Sequence, residues 1–108
     1  MTRPVNPASD TKLLVQIDPD LEAIVPGFLE NRRKDVVSIL AAIAGRDFDT
    51  MRILGHRMKG DGGGYGFETI SEIGAALEHA AARHDLPALT RQVQALEDYL
   101  NRVTVVYR

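Results

Sequence analysis

Apolar positions recur at helical spacing along most of this chain, in stretches separated by short polar or glycine-containing breaks. Residues 1–12 are polar, with Pro4 and Pro7, and Leu13, Leu14, Val15 and Ile17 follow as a short apolar stretch. Residues 1–17 are expected to form a flexible leader, with the apolar stretch extended or wound into one turn across the fold. Asp18-Pro19-Asp20 is the first helix-start signal: an aspartate to cap orphan amides, a proline for the first helical position and an acid at the positive end. From there Leu21, Ile24, Val25, Phe28, Leu29, Val36, Ile39, Leu40 and Ile43 keep helical spacing. Pro26 interrupts that run, so the spacing predicts a short helix, a proline kink and a long helix ending near Gly45.

Asp47 is placed to cap a second helix with Phe48, Met51, Leu54 and Met58 as its apolar stripe, which the glycines from Gly60 to Gly66 are expected to end or loosen. A third helix is predicted from Phe67 through Ile70, Ile73, Leu77 and Ala81. Asp85 and Pro87 open a fourth, whose apolar face is Leu89, Val93, Leu96, Leu100 and Val103. Val105-Val106-Tyr107 are expected to fray or to prolong it. No segment alternates convincingly with a two-residue period. Short links between amphipathic helices favour antiparallel neighbours, so residues 18–108 are expected to form an all-α, up-down-up-down four-helix bundle.

Composition narrows the possible functions. A length of 108 residues suits one modest core, not a nucleotide-binding catalytic domain beside a substrate domain. The net charge of -2 lacks the basic excess of a nucleic-acid binder. The absence of cysteine excludes disulfides, thiolate catalysis and Cys-based zinc sites. No apolar run resembles a signal peptide or a membrane span, so a cytoplasmic protein that contacts no membrane is expected.

The second helix carries the candidate chemistry. At about 100° per residue, Met51, Leu54 and Met58 face the core, with Phe48 on the flank, and His56 points well away from them. Its helical neighbours are Asp49, Arg52, Lys59 and Gly60, which gives an exposed imidazole among cations beside a position without a side chain. Ile53 also points outward. Neutral imidazole is a nucleophile that forms covalent intermediates. Phosphoryl transfer depends mostly on positioning and on cations to hold the charged oxygens, a role open to Lys59. Gly60 and Gly63 leave room for an incoming surface, which would account for glycines that cost helix stability.

His56-Arg57-Met58-Lys59-Gly60, followed by Gly63 and Gly66, resembles the H-x-[LM]-K-G-x-x-x-x-x-G signature of histidine-containing phosphotransfer (HPt) domains. Phe67, Ile70, Ile73, Leu77 and Glu78 are similar to the family's next helix, and the resemblance spans about residues 18–104. It implies that His56 is phosphorylated and that Lys59 helps hold the phosphoryl group. It further implies that Gly60 clears the surface and that Gly66 permits close packing where the next helix begins. Such domains take the group from a receiver-domain phospho-aspartate and pass it to another receiver, without binding ATP or acting as autokinases. The implied partners are response-regulator receivers and a hybrid sensor kinase. The implied Mg2+ sits on the receiver, so the chain needs no metal or cofactor of its own, and a monomer is expected. Arg52, Ile53 and Arg57 would then lie on the docking face. Asp61 departs from the pattern, where a small residue is usual. Its carboxylate could repel the phosphoryl group, pair with Lys59, or turn away to cap the helix end.

Other readings fit less well. His79 and His84 lack a comparable setting and are read as ordinary residues near the end of the third helix; a zinc site from the three histidines is disfavoured. The glycine run has tyrosine where G-x-G-x-x-G needs its last glycine, and its lysine precedes the loop instead of ending it as in a Walker motif. Arg32-Arg33-Lys34 reads as a solvated face. The rivals are an unphosphorylated adaptor of the same fold and a dimeric phosphotransferase, which would need a long intermolecular hairpin.

Overall fold

The computed structural model describes residues 11–108. Four helices form the body: α1 (Val25–Gly45), α2 (Phe48–Gly64), α3 (Glu68–Ala82) and α4 (Leu86–Arg102). Two strands, β1 (Leu13–Ile17) and β2 (Val103–Tyr107), pair in parallel with Leu13 opposite Val103 and Ile17 opposite Tyr107. The chain is therefore mostly helical, with a small sheet that joins the segment before the helices to the segment after them.

Local signals set most of the boundaries. Asp47 accepts hydrogen bonds from the Thr50 amide (3.1 Å) and hydroxyl (2.7 Å), which start α2 and hold the Asp47 carboxyl below its ordinary range. Asp85 caps α4 through the Ala88 amide. Helices α1, α2 and α3 end in the same way. A left-handed residue (Arg46, Gly66 and His84 respectively) is followed by an amide that reaches back to Ala42, Gly62 and Ala80. This is the Schellman ending, which satisfies the last carbonyls of a helix.

Three expectations need correction. The segment before Pro26 is a single 3-10 turn, Pro19–Leu21, and Pro26 falls in the first turn of α1, where its missing amide has no helical partner to lose. The glycine run does end α2, though only at Gly64, with left-handed Gly66 closing the turn. Residues 13–17, assigned to the leader, form β1; Leu13 and Val15 are half-buried and Ile17 is buried, while Leu14 and Gln16 face out. Residues 1–10 of that expected leader lie outside the described residues. Val103–Tyr107 neither frays nor prolongs α4 but forms β2, and Arg102 Nε donates to the Thr11 carbonyl at 2.7 Å.

The core joins all four helices. Phe28, Val36 and Ile39 meet Met51, Met58, Ile70, Leu77, Leu89, Val93, Leu96 and Leu100, with Phe67 fully buried among them. Helices α2 and α3 pack most extensively. Gly55 lies opposite Glu78, Lys59 opposite Gly74 and Gly62 opposite Ser71, so these two helices run in opposite directions.

Candidate functional site

Glycines set the spacing of α2 and α3. A Cβ at Gly55 would lie 2.6 Å from the Glu78 amide nitrogen, and one at Gly62 would lie 2.5 Å from the Ser71 nitrogen. A Cβ at Gly74 would run into the Lys59 nitrogen and sit 2.8 Å from the Gly55 carbonyl oxygen. All four obstacles are backbone atoms that cannot swing aside. The helices therefore touch backbone to backbone, close enough for a side chain on α3 to reach across to the outer face of α2.

Glu78 makes that reach. Its Oε2 is 2.9 Å from His56 Nδ1, and its Oε1 is 3.6 Å from Lys59 Nζ. The His56 side chain is 69% exposed and that of Glu78 27%, so the carboxylate lies partly sheltered beneath an open ring. The hydrogen bond from His56, aided by the nearby charges of His56 and Lys59, holds the Glu78 carboxyl below its ordinary range despite partial desolvation. With Nδ1–H donated to a carboxylate, neutral imidazole keeps its lone pair on Nε2.

Beside this group α2 offers an open surface. Nothing lies within 4 Å of where a Cβ on Gly60 or Gly64 would stand, and at Gly63 only the Ser71 hydroxyl comes near, at 3.9 Å. Ile53 is exposed, as its position on the helix predicts, and Arg52 is held by Asp49 at 3.1 Å. Arg57 is exposed on the side toward Asp35 of α1. Gly66 stands apart from this face. It takes φ +89° at the end of α2, where a Cβ would meet the Ile17 side chain of β1 at 2.9 Å.

Asp61 turns toward α1, where its Oδ2 lies 3.7 Å from Arg32 Nη1. Of the three placements open to it, neither repulsion at the histidine nor pairing with Lys59 fits this geometry. Arg32 is no solvated residue: its side chain is 12% exposed, lies over the Phe28 ring and places Nε 2.8 Å from Asp35 Oδ2. Burial pushes the Asp35 carboxyl up, against the pull of Arg32. Arg33 and Lys34 are exposed as expected, although Arg33 also donates to the Leu100 carbonyl at 3.2 Å.

The remaining histidines sit elsewhere. His84 stacks on Phe48 at 4.1 Å in its left-handed position, and His79 contacts Arg83. Among the described residues no group of three or more histidine, cysteine or carboxylate side chains could hold a metal ion, and no helix is long and apolar enough to cross a membrane.

Reasoning from the sequence brought together His56, Lys59 and Gly60 but gave no site role to Glu78, Ser71, Gly55, Gly62 or Gly74. The signal for them was present as small residues recurring on one face of each of two consecutive helices.

No curated protein and no solved structure matches the chain significantly. The family model for the Hpt domain matches residues 23–104, which takes in all four helices and the whole histidine site. The chain therefore belongs to the Hpt domain family, whose members are phosphocarrier modules of two-component signalling and not kinases.

Proposed function

We propose that this chain is a phosphorelay intermediate that accepts a phosphoryl group on His56 from a receiver-domain phospho-aspartate and passes it to a second receiver. The observation that carries this reading is the exposed His56 ring with Nδ1 on Glu78, Lys59 one turn away and a gap without side chains at Gly60. The short links between helices favour the up-down-up-down order, which leaves the face around His56 free for docking.

In the forward step the Nε2 lone pair attacks phosphorus and forms the N–P bond. The bond from phosphorus to the aspartyl oxygen breaks, and the aspartate leaves as a carboxylate. The Nδ1 proton stays on its hydrogen bond to Glu78, which balances the positive charge growing on the ring. Lys59 Nζ swings from Glu78 toward the transferred oxygens, a short movement for a flexible stem. The reverse step hands the group to the next receiver. Magnesium and the acids that bind it belong to the receiver, and ATP has no part. Ile53, ringed by Arg52 and Arg57, gives an apolar contact with a charged rim for brief recognition.

The test is transfer from a receiver carrying radiolabelled phosphate. The wild-type chain should take up acid-labile, alkali-stable label and His56→Gln none. Label that persists in His56→Gln would sink the assignment. A receiver that binds but transfers nothing to the wild type would favour the unphosphorylated adaptor.

A further inference from the structure

Ser71, Gly74 and Glu78 follow one another on α3 at spacings of three and four residues and so share one face. That face meets Lys59 at three points. Glu78 takes its ammonium, the Gly74 backbone lies against its amide nitrogen, and the Ser71 hydroxyl donates a hydrogen bond to its carbonyl oxygen. We propose that Ser71 is a positioning residue for phosphoryl transfer and acts through Lys59. This rests on the reading of Lys59 as the group that holds the phosphoryl oxygens.

The physical need arises just after Lys59. Gly60, Gly62, Gly63 and Gly64 fill four of the next five positions of α2. Glycine is the weakest ordinary helix former, so this last stretch has little intrinsic tendency to stay wound. In a regular helix the Lys59 carbonyl accepts only from the Gly63 amide, a bond that opens whenever the glycine turn frays. A carbonyl oxygen has two lone pairs, and Ser71 fills the second from a separate helix. The Lys59 backbone is thereby held whether or not the glycine turn is wound. The lysine stem starts from a fixed point, and its ammonium falls beside His56. The glycines can then serve the open face without loosening the cation one residue before them.

The test compares Ser71→Ala, Ser71→Thr and Lys59→Ala in transfer from a radiolabelled phospho-receiver. Loss of one hydrogen bond of ordinary strength should slow the first-order transfer step about fivefold in Ser71→Ala. The receiver concentration for half-saturation should stay unchanged, and Ser71→Thr, which keeps the hydroxyl, should restore the rate. In a Lys59→Ala background, adding Ser71→Ala should cost nothing more, because the residue it acts through is gone. NMR relaxation of the Lys59 backbone gives a reading independent of transfer. Its order should fall in Ser71→Ala and hold in Ser71→Thr. A wild-type rate in Ser71→Ala, an equal slowing with and without Lys59, or unaltered Lys59 backbone order would overturn the proposal. None of these would touch the carrier reading, which fails separately if the wild type takes no label or His56→Gln retains it.

Discussion

Gly55 and Gly60 stand little more than one turn apart on α2, and they are glycine for opposite reasons. At Gly55 a Cβ would strike the backbone of α3; at Gly60 nothing lies within 4 Å. The same division holds along the helix. Gly62, together with Gly74 across the seam, belongs with Gly55, while Gly64 belongs with Gly60. The inner set lets two backbones touch, so that Glu78 reaches His56. The outer set gives the fold nothing and keeps the surface beside His56 bare. A glycine that costs helix stability and fills no internal gap is best explained by what approaches from outside.

Substitutions can break each half of that contrast separately. The largest effect is expected at the seam. Gly74→Ala drives a methyl into the Lys59 backbone and should lower unfolding free energy by about 3 kcal/mol, the upper end for overpacking, in a denaturant titration. If the fold survives, His56 should lose its Glu78 partner as well.

Glu78→Gln comes next, because it leaves the spacing intact and removes the charge. Transfer should slow about tenfold, as expected for a lost charge-assisted hydrogen bond, when single-turnover rates are compared at neutral pH. Stability should respond to pH in a defined direction. The folded-state pKa of Glu78 is lowered, so its contribution is present above the ordinary glutamate value and fades as pH falls through the lowered one. Denaturation curves of wild type and Glu78→Gln should therefore converge on acidification. A gap that widens toward acid would contradict the assigned pairing.

On the open face the sign reverses. Gly60→Ala should raise stability by about 1 kcal/mol through helix propensity, yet weaken receiver binding by placing a methyl in the docking gap. Thermal melts and a binding titration would read the two effects apart. Smallest is a position where glycine is missing: Arg46 is left-handed at φ 54°, and Arg46→Gly should stabilise by a few tenths of a kcal/mol without changing transfer.

What the sequence made legible was whatever depended on neighbours along the chain. Asp47 and Asp85 announced their helices because a cap needs only the next three residues. His56 and Ile53 could be turned outward because Met51 and Met58 fix the inner face of α2. The histidine site was visible in this way down to Lys59 and Gly60. Contacts made at a distance were not. The strands escaped because exposed Leu14 hides the alternation of Leu13, Val15 and Ile17, and because their partners stand at the far end of the chain. Glu78 is separated from His56 by 22 residues, and nothing in its own surroundings marks it as a ligand of the ring. Helix α2 stays wound through Gly60 and Gly62 as far as Gly64 because packing on α3 overrides propensity. Asp61 found Arg32 on a helix that its local spacing could not reveal.

The central claim concerns one nitrogen atom: Glu78 holds Nδ1, and Nε2 takes the phosphoryl group. Phosphorus–nitrogen correlation by NMR, on protein with 15N-labelled histidine rings after transfer from a phospho-receiver, would read it directly. The account predicts a one-bond coupling between phosphorus and His56 Nε2, with Nδ1 still protonated toward Glu78. A coupling to Nδ1, or phosphorus on any other residue, would contradict it.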